Sequence, residues 1–271
     1  MIVRHKTARH WPAPPADADA GGDVIAAVRA AVAARRAALA FQPVVQAGAP
    51  HRIAFHEGLI RLSDLNGRLM PAAAFIEQVE GQALGREIDA LALDLGLAAL
   101  RDHPGLRLSV NMSVHSIGDP RWSETLRRGL AADPTVGERL ILEITETSAM
   151  GRPERVAAFM HAVQGCGVAF ALDDFGAGAT SFRYLREFRF DIVKIDGQFI
   201  GGLAYDRDNQ VLLGAMVDIA RHFDMLTVAE KVETAADAAA CAESGIGCLQ
   251  GYHFGAPQLC PDWDSIARLK A

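Results

Sequence analysis

The sequence lacks the cysteine and histidine spacings that mark a transition-metal site. Its 271 residues contain four cysteines, at positions 166, 241, 248 and 260, and no CxxC pair. The nine histidines form no HExxH motif. A structural zinc site is therefore not expected. The cysteines are interpreted as reduced thiols, which is typical of a cytoplasmic protein.

Excess positive charge and long apolar runs are also missing. The chain has 27 Lys and Arg against 33 Asp and Glu, a net charge of −6. Because polymeric nucleic acid binds a basic face, it is not an expected partner, although a small anion can bind where metal ions supply local charge. No apolar run approaches the ~20 residues of a membrane span, and the basic first residues lack the apolar core of a secretory signal. The sequence therefore predicts no membrane partner and a cytoplasmic location.

Half of the residues are hydrophobic, which is enough for one large domain, predicted at 23–271. Residues 1–22 are polar and rich in Pro, Ala and Asp, and are predicted to form a disordered tail. An alanine-rich helix is predicted for 23–39, and apolar runs typical of strands then alternate with helical patterns. The strands are predicted at 40–46, 52–62, 106–113, 140–145, 167–175, 192–196, 226–232 and 248–254.

The spacing of these elements favours an α/β barrel. The first two predicted strands are joined by the short connection QAGAPH, which predicts an antiparallel hairpin. The remaining strands follow helices, as in repeated βα units, and about eight strands in a chain of this length indicate a (β/α)8-type barrel with an irregular start. A doubly wound open sheet is the alternative, but no GxGxxG follows the first strand.

The most informative stretch is Gly167–Gly176, GVAFALDDFG. Its uncharged run, in which bulky residues alternate with alanine, is typical of a strand buried on both faces. The strand ends in two adjacent carboxylates, Asp173 and Asp174. Two neighbouring negative charges need a counter-charge, and a divalent cation is the simplest one.

Polar residues mark the carboxyl ends of the other predicted strands, where a barrel of this kind carries its active site. Burying so many charges without a partner would cost several kcal/mol per ion, so a shared functional site is favoured. The oxygen ligands, without cysteine or clear histidine, favour Mg²⁺ or Mn²⁺, and a two-metal site would suit displacement at phosphorus. The residues at these ends are Glu57, Arg61, Asn111, Ser113, Glu143, Thr145, Glu146, Asp173, Asp174, Lys194, Asp196, Glu230, Glu233 and Gln250.

Eight short motifs, in order, resemble a known family. They are FQPVV, HEGLIR, SVNMS, LEITET, LDDFGAG, VKIDGQF, VAEKVET and QGYHFGAP. The series resembles the EAL-domain phosphodiesterases, which hydrolyse the bacterial messenger cyclic di-GMP to linear pGpG, and it spans about 38–257. The resemblance implies a TIM-like (β/α)8 barrel with an antiparallel first strand, two Mg²⁺ or Mn²⁺ ions and the bacterial cytoplasm. It also implies a possible homodimer through the loop and helix after the strands at 167–175 and 192–196.

The resemblance assigns a role to each matching residue. The first metal ion would be bound by Glu57, Asn111, Glu143 and Asp173, and the second by Asp174 and Glu230, with Asp173 bridging. Lys194 would contact the nucleophilic water, and Glu146 would hold the loop after the strand at 167–175. The substrate would be contacted by Gln42, Arg61 and Gln250, with Asp196 and Glu233 supporting the substrate-binding end. The residues expected to take part directly in catalysis are Lys194, Glu230 and Glu57.

Several positions depart from the family pattern. Gly58 replaces the alanine of the signature, and Ala256 stands where an arginine is common. The loop after the strand at 167–175 carries Ala177 and Ala179 instead of a hydroxyl and an aromatic residue, and Lys231 replaces the usual glycine beside Glu230. All presumed metal ligands are present, so an active enzyme is favoured. The alternative is a weak or inactive EAL domain that senses cyclic di-GMP or acts as an interaction module.

Overall fold

The computed structural model describes residues 21–178 and 185–263. Residues 1–20 of the predicted tail and Ala179 lie outside the described residues. The strands are β1 (Ala37–Gln46), β2 (Ala49–Ser63), β3 (Leu69–Pro71), β4 (Leu108–Asn111), β5 (Leu140–Thr145), β6 (Ala169–Phe175), β7 (Ile192–Ile195), β8 (Leu226–Ala229) and β9 (Cys248–Gln250). The helices are α1 (Gly21–Ala33), α2 (Ile76–Val79), α3 (Ala83–Asp102), α4 (Pro120–Ala132), α5 (Glu146–Met150), α6 (Pro153–Gln164), α7 (Arg207–His222) and α8 (Ala235–Glu243).

The strands close into a barrel. From β2, the parallel order runs through β4, β5, β6, β7, β8 and β9, and β1 then pairs antiparallel with both β9 and β2. The short strand β3 adds to the outer part of β2 as an antiparallel partner. Closure through β1 confirms the barrel with an antiparallel first strand and shows that the open doubly wound alternative is wrong.

The first helix is shorter than its alanine-rich sequence predicts. It ends at Ala33 rather than at residue 39, and Arg35 follows with a left-handed backbone, φ 50°. Strand β1 begins at Ala37, which pairs with Leu62 of β2. Alanine strongly favours a helix, so the local pattern extended the predicted helix past the point where pairing with β2 begins.

Strands β8 and β9 are also shorter than predicted. Their observed ends determine the positions of two predicted site residues, Glu230 and Gln250. β8 stops at Ala229, and Lys231 then adopts φ 52°. The amide of Val232 donates to the carbonyl of Gln250 at 2.9 Å, which ties the two strand ends together. Glu230 therefore lies directly after β8, and Gln250 is the last residue of β9.

The barrel interior is filled at its lower end by an apolar layer. Each residue of this layer faces the barrel interior and comes from a different strand. The layer is a buried cluster separate from the larger one between the sheet and the helices. The apolar layer consists of Val44, Phe55, Ile141, Ala171, Ile192, Val228 and Cys248. This layer supports the residues at the carboxyl ends of the parallel strands.

Candidate active site

A polar layer lies directly above the apolar layer. Because side chains alternate along a strand, residues two positions apart face the same side. Two positions after the apolar residue of each parallel strand, and two positions before it on the antiparallel β1, the residue is polar and buried: Gln42, Glu57, Glu143, Asp173, Lys194, Glu230 and Gln250. On β4 the corresponding pair is Ser109 and Asn111. The barrel therefore gathers many, but not all, of the predicted strand-end residues into one cluster.

Lys194 lies at the centre of this polar layer. Its Nζ is 2.9 Å from Glu143 Oε2, 2.7 Å from Glu230 Oε1 and 3.0 Å from Asp173 Oδ1. Glu57 Oε2 lies slightly further away, at 3.5 Å. The Lys194 side chain is fully buried. One ammonium group therefore faces four carboxylates.

Amide side chains fix the orientation of Glu57. Asn111 Nδ2 donates to Glu57 Oε1 at 2.9 Å, and Gln250 Nε2 donates to Glu57 Oε2 at 2.5 Å. The same Gln250 nitrogen lies 3.2 Å from Gln42 Oε1, and Gln42 Nε2 donates in turn to the carbonyl of Gly255 at 3.1 Å. This chain of hydrogen bonds links β4, β2, β9 and β1 across the site.

The two adjacent aspartates face the same cluster because the end of β6 is irregular. Neighbouring residues of a regular strand point to opposite faces. The pairing with β7 shifts register between Leu172 and Phe175, and Asp174 has a left-handed backbone, φ 55°. Carboxylate oxygens of Asp173, Asp174 and Glu230 consequently lie within 4.8 Å of one another.

Burial shifts the pKa values of the charged residues in the polar layer. Burial raises the pKa of Glu143 well above its usual value, and Lys194 only partly opposes that rise. Burial likewise raises the pKa of Glu230 to about 8. Burial alone would lower the pKa of Lys194, but the surrounding carboxylates outweigh it, so the pKa lies well above its usual value. Lys194 therefore remains protonated and acts as a hydrogen-bond donor, not as a base.

The cluster fits a hard divalent cation. Its donors are carboxylate and amide oxygens, the ligands that Mg²⁺ and Mn²⁺ prefer. Among the described residues, Glu143 Oε1 is buried without a hydrogen-bond partner, which is an uncommon state for a carboxylate oxygen. Lys194 supplies one positive charge to four acids, so additional positive charge would stabilise the site.

Glu146 contacts the loop after β6. It is the first residue of α5 and is buried, and its Oε2 accepts a hydrogen bond from the amide of Gly176 at 3.0 Å. Gly176 has φ 93°, a conformation that favours glycine. A Cβ on Gly178 would lie 3.7 Å from the same carboxylate oxygen, so the loop passes close to Glu146.

The remaining predicted residues lie outside the polar layer. Arg61 is half-buried, and its pKa is lowered by burial while Glu57 and Tyr252 oppose that change. Asp196 is buried and pairs with Lys231 at 2.8 Å. Glu233 is exposed and forms no side-chain hydrogen bond or ion pair within the part of the chain that the structure describes.

Two polar strand-end residues serve local structure instead. Ser113 Oγ donates to Glu80 Oε1 at 3.2 Å, and Thr145 caps α5 by accepting from the amide of Ser148. Glu80 was not singled out by the sequence pattern, yet it also accepts from Ser148 Oγ at 3.2 Å. No sequence signal distinguishes Glu80 from a solvent-facing glutamate, because its partners lie on other elements.

The chain is similar in sequence to known proteins. The chain matches the EAL domain family over residues 25–257. It is 33% identical over 227 residues to the cyclic di-GMP phosphodiesterase PdeB of Shewanella oneidensis, covering 81% of this chain and 26% of that protein. It is 30% identical over 227 residues to the uncharacterized protein Rv1357c of Mycobacterium tuberculosis, covering 80% of this chain and 73% of that protein. The chain thus spans about a quarter of the length of PdeB.

Solved structures share the barrel. The MucR phosphodiesterase of Pseudomonas aeruginosa in complex with c-di-GMP superposes with a TM-score of 0.77 at 28% identity, covering 87% of this chain and 97% of that one. The FimX EAL domain of the same species, bound to c-di-GMP, superposes with a TM-score of 0.81 at 26% identity, covering 90% of this chain and all of that one. None of the described helices combines the length and the hydrophobicity needed to cross a membrane.

Proposed function

The chain belongs to the EAL domain family, and we propose that it is a metal-dependent phosphodiesterase that hydrolyses cyclic di-GMP to linear pGpG. The observation that supports this most strongly is the environment of Lys194, whose buried ammonium lies among four carboxylates from four strands. Such a cluster is unfavourable as a structural core because charges buried in excess of their partners are costly. It is favourable as a site that binds cations and a phosphodiester.

We assign the predicted ligands to two ions, Mg²⁺ or Mn²⁺. The first would be held by Glu57, Asn111, Glu143 and Asp173, and the second by Asp174 and Glu230 with Asp173 shared. When bound, such ions activate water and neutralise charge on the phosphate. The unpartnered Glu143 Oε1 and the close oxygens of Asp173, Asp174 and Glu230 support this assignment.

Lys194 orients the attacking water in this proposal. Because its pKa is raised by the carboxylates around it, its N–H groups donate and do not accept a proton. The water oxygen forms a bond to phosphorus while the bond from phosphorus to the ribose oxygen breaks. The proton lost by the water passes to a carboxylate of the polar layer, for which Glu230 and Glu57 are the candidates, and the leaving oxygen is protonated from solvent.

The substrate would lie over the polar layer. Arg61 is four residues beyond Glu57 on β2, and its planar guanidinium suits a phosphate. Gln42 and Gln250 share a hydrogen bond beside Glu57 and can exchange it for polar groups of the nucleotide. Asp196 and Glu233 would support the same end of the barrel.

Turnover of cyclic di-GMP tests the proposal directly. Product is separated by chromatography in reactions with Mg²⁺, Mn²⁺ or a chelator. We expect pGpG only with metal, and at least a 100-fold loss in Glu57→Gln, because a metal ligand contributes more than the 10- to 100-fold typical of its supporting residues. Glu77→Gln makes the same chemical change on exposed α2 and should retain full activity. Absence of metal-dependent product from the unmodified protein would refute the enzyme.

A second candidate is a module that binds cyclic di-GMP without cleaving it. Lys231 supports this candidate, because its ion pair with Asp196 places a cation beside the outer carboxylates. Calorimetric titration with cyclic di-GMP in chelator, together with the turnover assay, distinguishes the sensor from the enzyme. Binding without turnover in either metal would favour the sensor, whereas binding with metal-dependent turnover would favour the enzyme.

We also propose a homodimer and a location in the bacterial cytoplasm. The helix after β7 is α7, and it exposes Val211 and Leu212; Tyr205, two residues before the helix, is also exposed. Exposed apolar side chains that form one patch are typical of a protein interface. Light scattering of Val211→Glu tests the dimer: a monomer is expected, and an unchanged mass would exclude this face.

A further inference from the structure

Lys231 occupies a backbone position that suits glycine. It follows Glu230 directly at the end of β8 and has φ 52°. A left-handed backbone is unfavourable for a residue with a Cβ, most of all for a long side chain without a local hydrogen-bonding group. The presence of lysine here therefore needs a reason in its side chain.

The Lys231 side chain is held in one place. Its stem crosses Gly197, where an added Cβ would lie 2.5 Å from Lys231 Cδ and 2.6 Å from Cβ. Its Nζ lies 2.8 Å from Asp196 Oδ2, and Asp196 is only 10% exposed whereas Lys231 is 64% exposed. The buried partner fixes the ammonium group while leaving it open to solvent and ligands.

This ammonium lies at the end of the barrel that carries the outer carboxylates. The four ion pairs of Lys194 do not include Asp174. The amide of Asp196, the partner of Lys231, donates to the carbonyl of Phe175, directly after Asp174, at 3.3 Å. The amide of Glu230 donates to the carbonyl of Ile195, directly before Asp196, at 3.1 Å. The site thus has an inner cation, Lys194, and an outer one, Lys231.

We propose that Lys231 is a resident cation of the outer half of the site, which weakens the binding of a divalent ion at Asp174 and Glu230. The inference rests on the metal dependence proposed above. A fixed positive charge repels a divalent cation, and at a solvated rim the effect on the dissociation constant is about three- to tenfold. The outer ion is consequently the weaker of the two, and its occupancy follows the concentration of free metal.

Titration of the nucleotide-free protein with Mn²⁺ by calorimetry tests the proposal without any need for turnover. Lys231→Gln keeps the stem and removes the charge, and it should bind the outer ion about three- to tenfold more tightly. Lys231→Arg keeps the charge and should resemble the unmodified protein. Arg127→Gln removes one positive charge on exposed α4 and should also have no effect, which separates a local effect from net charge.

A double-mutant cycle with Asp174→Asn locates the effect, because coupled residues show non-additive changes. In the Asp174→Asn background, Lys231→Gln should no longer change Mn²⁺ binding. Equal Mn²⁺ isotherms for the unmodified protein and Lys231→Gln would overturn the proposal, whether each protein molecule binds one ion or two. Tighter Mn²⁺ binding in Lys231→Gln, with no turnover of cyclic di-GMP by either protein, would refute the proposed enzyme while supporting the role of Lys231.

Discussion

The apolar layer and the polar layer of the barrel share seven strands and differ by two residues along each. The lower layer contains only Val, Phe, Ile, Ala and Cys, and its burial is favourable throughout. The upper layer, at the same inward orientation, contains four carboxylates and the lysine that pairs with them. One backbone geometry therefore carries both stability and chemistry, and residue type alone assigns each layer its role.

Replacing Lys194, the central cation of the polar layer, should have the largest effect on stability and turnover. Lys194→Met leaves the four carboxylates buried without their partner, so we expect the free energy of unfolding in chelator to fall by about 3–5 kcal/mol. Turnover should be lost. Urea denaturation at pH 8 and pH 5 measures the change, which should shrink at pH 5 because the carboxylates take up protons. An unchanged stability in chelator would contradict the account of Lys194.

Glu143→Gln should separate function from stability within the polar layer. Because burial raises the pKa of Glu143 well above its usual value, its ionised form is unfavourable, and the neutral amide should leave stability in chelator unchanged or higher. Turnover should fall about 100-fold or more through loss of a metal ligand. Denaturation and kinetics on the same preparation check both expectations, and a large loss of stability would show that the charge is structural.

A buried carboxylate outside the barrel interior should behave differently from both layers. Burial raises the pKa of Asp89 to about 7, and its Oδ2 accepts from the amide of Ser113 at 2.9 Å and from Ser116 Oγ at 2.5 Å. The folded protein thus binds more protons than the unfolded chain between about pH 4 and 7, so stability falls as pH rises through this window.

Asp89→Asn can keep both hydrogen bonds through one oxygen and should not show that part of the decline. The difference in free energy of unfolding, variant minus unmodified protein, should therefore increase from pH 5 to pH 8. It should be the same in chelator and in Mn²⁺, unlike the effects at Lys194 and Glu143. Parallel pH profiles for the two proteins would contradict the raised pKa.

The smallest effect is expected in the apolar layer. Ile141→Val, two residues below Glu143 on β5, removes one methylene and should cost about 1 kcal/mol of stability. Turnover per folded molecule should not change. A clear loss of turnover would show that the apolar layer also sets the geometry of the site.

Sequence reasoning predicted which residues stand at strand ends because each apolar run stops at a polar residue. It did not predict that Lys194 would lie inside four carboxylates, since Glu57 and Lys194 are 137 residues apart and meet only when the barrel closes. The left-handed backbones of Asp174 and Lys231 were not predicted either, because aspartate adopts this conformation only occasionally and lysine rarely.

Local patterns also misassigned some residues. The alanines after α1 were predicted to be helical, but pairing with β2 starts at Ala37. The contact of the Ser113 hydroxyl with Glu80 was likewise not predicted. In both cases a partner distant in sequence decides the outcome, and such a partner is not visible in a local window.

The two-residue offset between the layers also constrains how this barrel can evolve. A substitution in the polar layer leaves the pleat of the strand intact, so ligands and substrate contacts can be exchanged one at a time. A one-residue insertion or deletion within β6 would reverse every side chain beyond it, turning Asp173 toward the surrounding helices and removing it from Lys194. Changes of length are therefore tolerated in the connections between strands, whereas innovation at the site must proceed by replacement.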